Sequence, residues 1–122
     1  MDTSVPTTNL SLIVENETYR RLGVGPLLGD VLDRFINAAE TSSSQKMALY
    51  GTHDTTIAAL LATMGVFDKR WPCFTSNITF ELFQAQKNGS FLSFLKRAQY
   101  FVRIRYNQKV LALPGVDVLI SC

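Results

Sequence analysis

The only histidine of the chain, His53, is followed directly by Asp54 in a short polar segment, Thr52–Thr56. A protonated imidazole supplies a positive charge and an N–H donor. The N-terminus of a helix adds free backbone N–H groups and the positive end of the helix dipole, which suits phosphate. An adjacent aspartic acid can donate a proton at low pH. The pair therefore fits a site that holds a phosphoryl group and protonates the group that leaves.

The same residues also have a purely structural interpretation. Asp and Thr are preferred at helix N-caps, so Asp54 or Thr55 would cap the following helix. His53 would then be a buried, hydrogen-bonded side chain. Residue types alone favour this structural interpretation, because a single His-Asp pair is a weak motif.

The surrounding sequence predicts an α/β fold with the order helix, strand, helix and antiparallel hairpin. The helices are predicted over 23–40, with Pro26 in the first turn and an apolar stripe, and over 55–64, apolar nearly all round and ended by Gly65. The apolar run at 47–51 predicts a buried strand that leads into the polar segment. Period-two patterns predict strands over 77–83 and 100–106, joined by an insertion, with a short edge strand before Pro114.

Composition limits the possible functions. The chain has 122 residues, of which 47% are hydrophobic and 18% charged, which predicts one folded domain. A net charge of +2 argues against a dedicated nucleic-acid binder. No apolar run approaches the ~20 residues of a membrane span. The spacing of Cys73 and Cys122 is not that of a metal site, and both a disulfide and two free thiols remain open.

The compartment is left open by two conflicting features. Residues 1–18 are rich in Thr, Ser and Asn, which predicts a mobile lead-in without the features of a signal peptide. Four Asn-x-Ser/Thr triplets, at Asn9, Asn16, Asn77 and Asn88, instead favour a glycoprotein of the secretory pathway.

The stretch "ALYGTHDTTIAALLATMGVFD" resembles the C-terminal His-Asp motif of the histidine acid phosphatases, members of the phosphoglycerate-mutase-like superfamily. The resemblance covers about residues 19–115 and includes "RRLGVGPLLGDVLDRF", "FDKRWPCFTSNITFELFQ" and "YFVRIRYNQKVLALPG". The Phe-Asp-x-x-Trp-Pro run is most similar to the lysophosphatidic acid phosphatase branch and its fungal relatives. The resemblance implies that 19–122 form the C-terminal part of a three-layer histidine phosphatase domain.

The resemblance also implies residue roles. His53 would contact the phosphoryl oxygens of a small phosphate monoester, Asp54 would be the proton donor to the leaving alkoxide, and no metal or other cofactor would be needed. Glu81 would be a structural member of the sheet. The family's nucleophilic histidine, in an Arg-His-Gly-x-Arg-x-Pro motif, has no counterpart here, and neither has a further phosphate-binding arginine. The chain alone would therefore be inactive, because the covalent intermediate needs that nucleophile.

The sequence is also compatible with two other functions. The chain could be a non-catalytic phosphatase remnant that binds phosphate or protein weakly. It could also be a small basic binding module, because aromatic and basic side chains alternate along 96–109, although solvated strand faces commonly have this pattern.

Without further sheet strands, the segment at 47–51 and one face of the helix at 55–64 would be exposed, which predicts a marginally stable chain prone to self-association. Trp71 is predicted to pack rather than to bind a ligand, and Cys73 is predicted to pack or to form a disulfide rather than to react.

Overall fold

The computed structural model describes residues 15–41, 45–85 and 99–115. In these ranges lie three helices, which are α1 (Glu17–Gly23), α2 (Gly25–Thr41) and α3 (Asp54–Thr63). They are followed by the strands β1 (Ile78–Gln84), β2 (Tyr100–Tyr106) and β3 (Lys109–Val110), which form one antiparallel sheet in the order β1-β2-β3. The predicted α/β class is confirmed.

Helix α1 begins inside the stretch that was predicted to be a mobile lead-in. The side chain of Asn16 caps it by accepting a hydrogen bond from the backbone N–H of Tyr19 at 2.9 Å. Glu17 in the first turn and Arg20 and Arg21 in the last turn complement the helix dipole. Helix α1 therefore begins before residue 19, while the division of the chain at that residue stays a prediction and residues 1–14 lie outside the described ranges.

Helix α2 confirms the prediction made for residues 23–40, with Pro26 in its first turn. Its apolar stripe is only partly covered by other elements. Leu27 and Leu28 pack against the core, whereas Leu32 and Ile36 keep 58% and 42% of their surface exposed. Part of the stripe therefore faces solvent in the described structure.

Helix α3 is the buried centre of the described structure. Its five consecutive residues Ile57–Leu61 are all buried, as the nearly all-apolar sequence predicted. The further expectation that this helix would expose an apolar face is wrong, because α1, Trp71 and Ile78 cover it. The small hydrophobic core consists of Val24, Ala59 and Leu60 with the partly buried side chains that surround them.

Gly65 ends α3 as predicted, in a Schellman arrangement. The N–H of Gly65 donates to the carbonyl of Ala62 at 3.1 Å, and the N–H of Val66 donates to that of Leu61 at 3.0 Å. Gly65 has a φ of +71°, in the left-handed region that favours glycine. A Cβ at this position would also lie 3.3 Å from Cγ of Pro114.

Replacing this glycine is expected to destabilise the chain. Gly65→Ala should lower the free energy of unfolding by about 1–2 kcal/mol, because an L-residue is strained at this φ. Gly29→Ala is the matched control, since Gly29 is exposed within α2 and nothing lies within 4 Å of an added Cβ. It should raise stability by about 0.5–1 kcal/mol. Urea titration followed by circular dichroism measures both, and equal effects of the two substitutions would contradict the role given to Gly65.

The segment at 47–51 was predicted to be a buried strand, and this prediction is wrong for the described structure. The segment belongs to no sheet there, and Met47 and Leu49 expose 76% and 88% of their surface. A strand needs a hydrogen-bonded neighbour, and the described strands pair only among themselves. An exposed apolar segment therefore leads into His53 and Asp54.

The hairpin and the edge strand are confirmed. Strand β1 pairs with β2 in a register that runs from Ile78 opposite Tyr106 to Gln84 opposite Tyr100. Strand β3 adds two residues, Lys109 and Val110, before Pro114. The connecting segment that was predicted to be an insertion lies mostly outside the described residues. No helix of the described ranges has the length and apolar character to cross a membrane.

Candidate functional site

His53 lies at the N-cap of α3, where the chain changes from extended to helical. Its backbone is extended, with φ −104° and ψ 163°, and its carbonyl accepts hydrogen bonds from the N–H groups of Thr56 and Ile57. The imidazole makes no capping hydrogen bond, and the residue is exposed. The interpretation of His53 as a buried side chain is therefore wrong, and its ring is accessible to a ligand.

Asp54 is the first helical residue rather than the cap. Its Oδ1 accepts the backbone N–H of Thr55 at 2.7 Å, and its Oδ2 accepts the indole Nε1–H of Trp71, also at 2.7 Å. Each carboxylate oxygen thus has one N–H donor. Hydrogen bonds from N–H donors to an ionised carboxylate are short and about twice as strong as neutral ones. The two contacts fix the orientation of the carboxylate at the exposed start of α3.

The loop after α3 brings Trp71 back to the start of that helix. Asp68 Oδ1 accepts the backbone N–H of Arg70 at 3.0 Å, and Lys69 has a φ of +64°. The Trp71 ring packs against the core, and the following Pro72 is buried. The predicted packing role of Trp71 is confirmed, but its bond to Asp54 was missed. The sequence indicated only that Trp71 would have some hydrogen-bond acceptor, because the N–H of a buried or half-buried Trp usually has one. It did not indicate which residue that acceptor would be.

A polar cluster attaches the segment before His53 to α2. Arg34 Nε donates to Asp30 Oδ2 at 2.8 Å, its Nη1 donates to Gln45 Oε1 at 2.7 Å, and the Tyr50 hydroxyl also donates to Asp30. The Arg34 guanidinium lies 5.8 Å from the centre of the Tyr50 ring. Because Tyr50 comes shortly before His53, the cluster limits where His53 can lie relative to α2.

Hydrogen bonds within this cluster shift the ionisation of its members. The bond from Arg34, and then that from Tyr50, holds the pKa of Asp30 below its ordinary value. The bond to Asp30 raises the pKa of Tyr50 and that of Arg34. These shifts favour the carboxylate form of Asp30 and the protonated forms of Arg34 and Tyr50, which are the forms that make these hydrogen bonds.

Glu81 occupies a structural position in the sheet, as the resemblance implied. It lies opposite Arg103 in the register of β1 and β2, and Arg103 Nε donates to Glu81 Oε2 at 2.5 Å. This bond lowers the pKa of Glu81. Arg103 also lies over the ring of Phe83, with its guanidinium carbon 4.7 Å from the ring centre. An arginine engaged in this way is not a free cation for nucleic acid.

The other residues singled out in the sequence are placed as follows. Cys73 is exposed, which contradicts the packing alternative of its prediction. Cys122 lies outside the described residues, so the alternative of a disulfide stays a prediction. Of the four Asn-x-Ser/Thr asparagines, Asn16 and Asn77 are described, and both are exposed. The described part of the chain contains no group of three or more His, Cys, Asp or Glu side chains that could hold a metal ion.

Comparison with known proteins identifies a family for most of the chain. Residues 9–107 match the model of the histidine phosphatase superfamily, branch 2. A probable acid phosphatase of Schizosaccharomyces pombe is 48% identical over 79 residues, which are 62% of this chain and 17% of that protein. Lysophosphatidic acid phosphatase type 6 of Mus musculus is 34% identical over 103 residues, 80% of this chain and 22% of that protein. Human 2-phosphoxylose phosphatase 1 is 33% identical over 100 residues, 82% of this chain and 18% of that protein.

The matched region is a small part of these relatives. The chain spans about a fifth of the length of the curated proteins that it resembles.

Proposed function

The chain belongs to the histidine phosphatase superfamily, branch 2, and on that premise we propose that it forms the proton-donor part of an acid phosphatase site within a longer protein. The substrate class is a small phosphate monoester, in line with the names of the relatives. The proposal depends mainly on one observation. His53 and Asp54 lie side by side at the exposed N-terminus of α3, and Asp54 is held there by two N–H donors.

In this proposal His53 binds the phosphoryl group. Its imidazole is exposed and makes no capping bond, so it is available to donate to a phosphoryl oxygen. When protonated it adds a positive charge beside the helix N-terminus, which attracts the dianion. Negative charge that moves onto the phosphoryl oxygens in the transition state would be stabilised by this preorganised donor.

Asp54 protonates the leaving oxygen. The P–O bond breaks and leaves its electron pair on the alkoxide oxygen, and the proton of the Asp54 carboxyl forms the new O–H bond there. The carboxylate that results is stabilised by the N–H groups of Thr55 and Trp71. Nucleophilic attack on phosphorus must come from the opposite side, and we assign it to a histidine outside this sequence, because the chain has no second one.

A non-catalytic remnant that acts by protein contact is the second candidate. The exposed apolar side chains of Met47 and Leu49 favour it, since such a surface promotes association with a partner or with a second copy. The two candidates differ in whether the protein that contains this chain has phosphatase activity. Glycosylation at the exposed Asn16 and Asn77 is compatible with either candidate.

Hydrolysis of p-nitrophenyl phosphate at acidic pH separates the candidates. We expect no activity above the buffer rate for the 122-residue chain, and activity for the product of the complete reading frame that contains it. An inactive complete product would leave the remnant as the correct description. Turnover by the 122-residue chain alone would overturn the assignment of the nucleophile to another segment.

A further inference from the structure

We propose that Trp71 is a positioning residue for proton transfer, because its indole N–H fixes one oxygen of Asp54 and stabilises the carboxylate that forms when the proton leaves. This inference rests on the proposed function for the catalytic role of Asp54. The hydrogen bond between Trp71 and Asp54 is observed independently of that function. Nε1 of Trp71 lies 2.7 Å from Oδ2 of Asp54, and the two residues are 17 positions apart in the sequence.

The surroundings of Trp71 hold the indole in place. Its ring packs against the core around Val24, Ala59 and Leu60, and two of these belong to the helix that begins at Asp54. Pro72 is buried next to it. The indole is thus anchored to the same helix whose first residue it contacts. A donor anchored in this way orients the carboxylate, whereas a flexible surface side chain would follow its movement.

The chemistry of the indole determines what the contact can do. The Nε1–H group is only a donor, so it cannot accept the proton of a neutral Asp54 or relay it elsewhere. The indole therefore offers the proton of the carboxylic acid no way out, and the leaving oxygen does not compete with it for that proton. Each carboxylate oxygen accepts one N–H group and keeps lone-pair capacity for the proton. Both contacts strengthen as negative charge develops, which favours transfer of the proton to the alkoxide.

The first test uses the 122-residue chain and its single tryptophan. With a single indole N–H in the sequence, one ¹⁵N–¹H indole signal reports the contact. We expect Asp54→Ala, which removes the acceptor, to move this signal toward the position of a solvent-exposed indole. Asp68→Asn is the matched control, because Asp68 lies in the same loop and bonds Arg70 instead, and it should leave the signal in place. An indole signal that stays in place in Asp54→Ala, or that moves as far in Asp68→Asn, would overturn the contact.

The second test is kinetic and uses the product of the complete reading frame. Trp71→Phe keeps an aromatic ring and removes the N–H donor. We expect kcat for an alkyl phosphate to fall by about tenfold with little change in KM, since one hydrogen bond to a charged group is lost. The loss should be much smaller for p-nitrophenyl phosphate, whose leaving group departs without a proton. A purely structural role would lower both rates equally.

The outcomes separate this inference from the function on which it rests. If the indole signal follows Asp54 but the complete product is inactive, the proposed function fails and the positioning role fails with it. If the complete product is active and Trp71→Phe leaves its kcat for the alkyl phosphate unchanged, only the positioning role fails. Circular dichroism of Trp71→Phe shows whether the variant is folded, and Trp71→Tyr provides a second aromatic replacement without the indole N–H.

Discussion

Asp54→Asn is expected to lower the rate of alkyl phosphate hydrolysis by about 10²–10⁴-fold in the complete protein, the range that a general acid contributes. An asparagine amide keeps the size of the side chain and an acceptor oxygen for Trp71, but it has no proton to give. The loss should be much smaller for p-nitrophenyl phosphate, whose leaving group is a weak base and departs without a proton. The loss of rate for the alkyl phosphate divided by the loss for p-nitrophenyl phosphate therefore measures how much the proton from Asp54 contributes.

The matched control for this substitution is Asp33→Asn. Asp33 is exposed on α2 and undergoes the same chemical change from carboxylate to amide. It should leave both rates unchanged. Equal losses on the two esters in Asp54→Asn would contradict the proton-donor assignment and would indicate damage to binding or folding instead.

His53→Asn is expected to lower kcat/KM by about 10²–10³-fold, the effect of removing one preorganised donor to a developing oxyanion. Asparagine is among the best N-cap residues, and His53 occupies the N-cap of α3 without making a side-chain cap bond. The substitution should therefore preserve α3 or stabilise it while removing the imidazole. Because His53→Asn removes the imidazole without weakening the helix cap, a loss of activity in this variant reports on phosphate binding and not on the stability of α3.

Two measurements check the His53 prediction. Steady-state kinetics of the complete protein should show a raised KM together with a reduced kcat, since the imidazole contacts the phosphoryl group in both the ground state and the transition state. Circular dichroism should show unchanged or higher helicity. Activity within about twofold of the unsubstituted protein would contradict the role of His53, and a loss of helicity would assign it a structural role instead.

The features that depend on local sequence were predicted correctly. Helix α3 follows from the apolar run at 57–61, and its end follows from Gly65, whose left-handed conformation suits a residue without a side chain. The hairpin follows from two strands with period-two alternation. Each of these features is specified by residues within the element itself or next to it. A single sequence is therefore enough to recognise them.

The features that depend on distant partners were not predictable in this way. The segment at 47–51 has the composition of a buried strand, yet whether it pairs depends on strands that it meets in space. The contact of Trp71 with Asp54 depends on the path of the loop through Lys69, which has a left-handed backbone without being glycine. Helix α1 was missed because its polar, Asn-capped start resembles the loop composition before it.

The measurement that tests the central claim most directly is the sequence of the transcript upstream of the codon for Met1. In the proposed function, His53 and Asp54 form one half of a phosphatase site whose nucleophile lies in another segment of the same protein. Sequencing the 5′ end of the transcript should reveal an upstream segment with a second histidine in an Arg-His-Gly-x-Arg motif. A transcript whose reading frame begins at Met1 would contradict the account, because the product would then have no histidine to attack phosphorus.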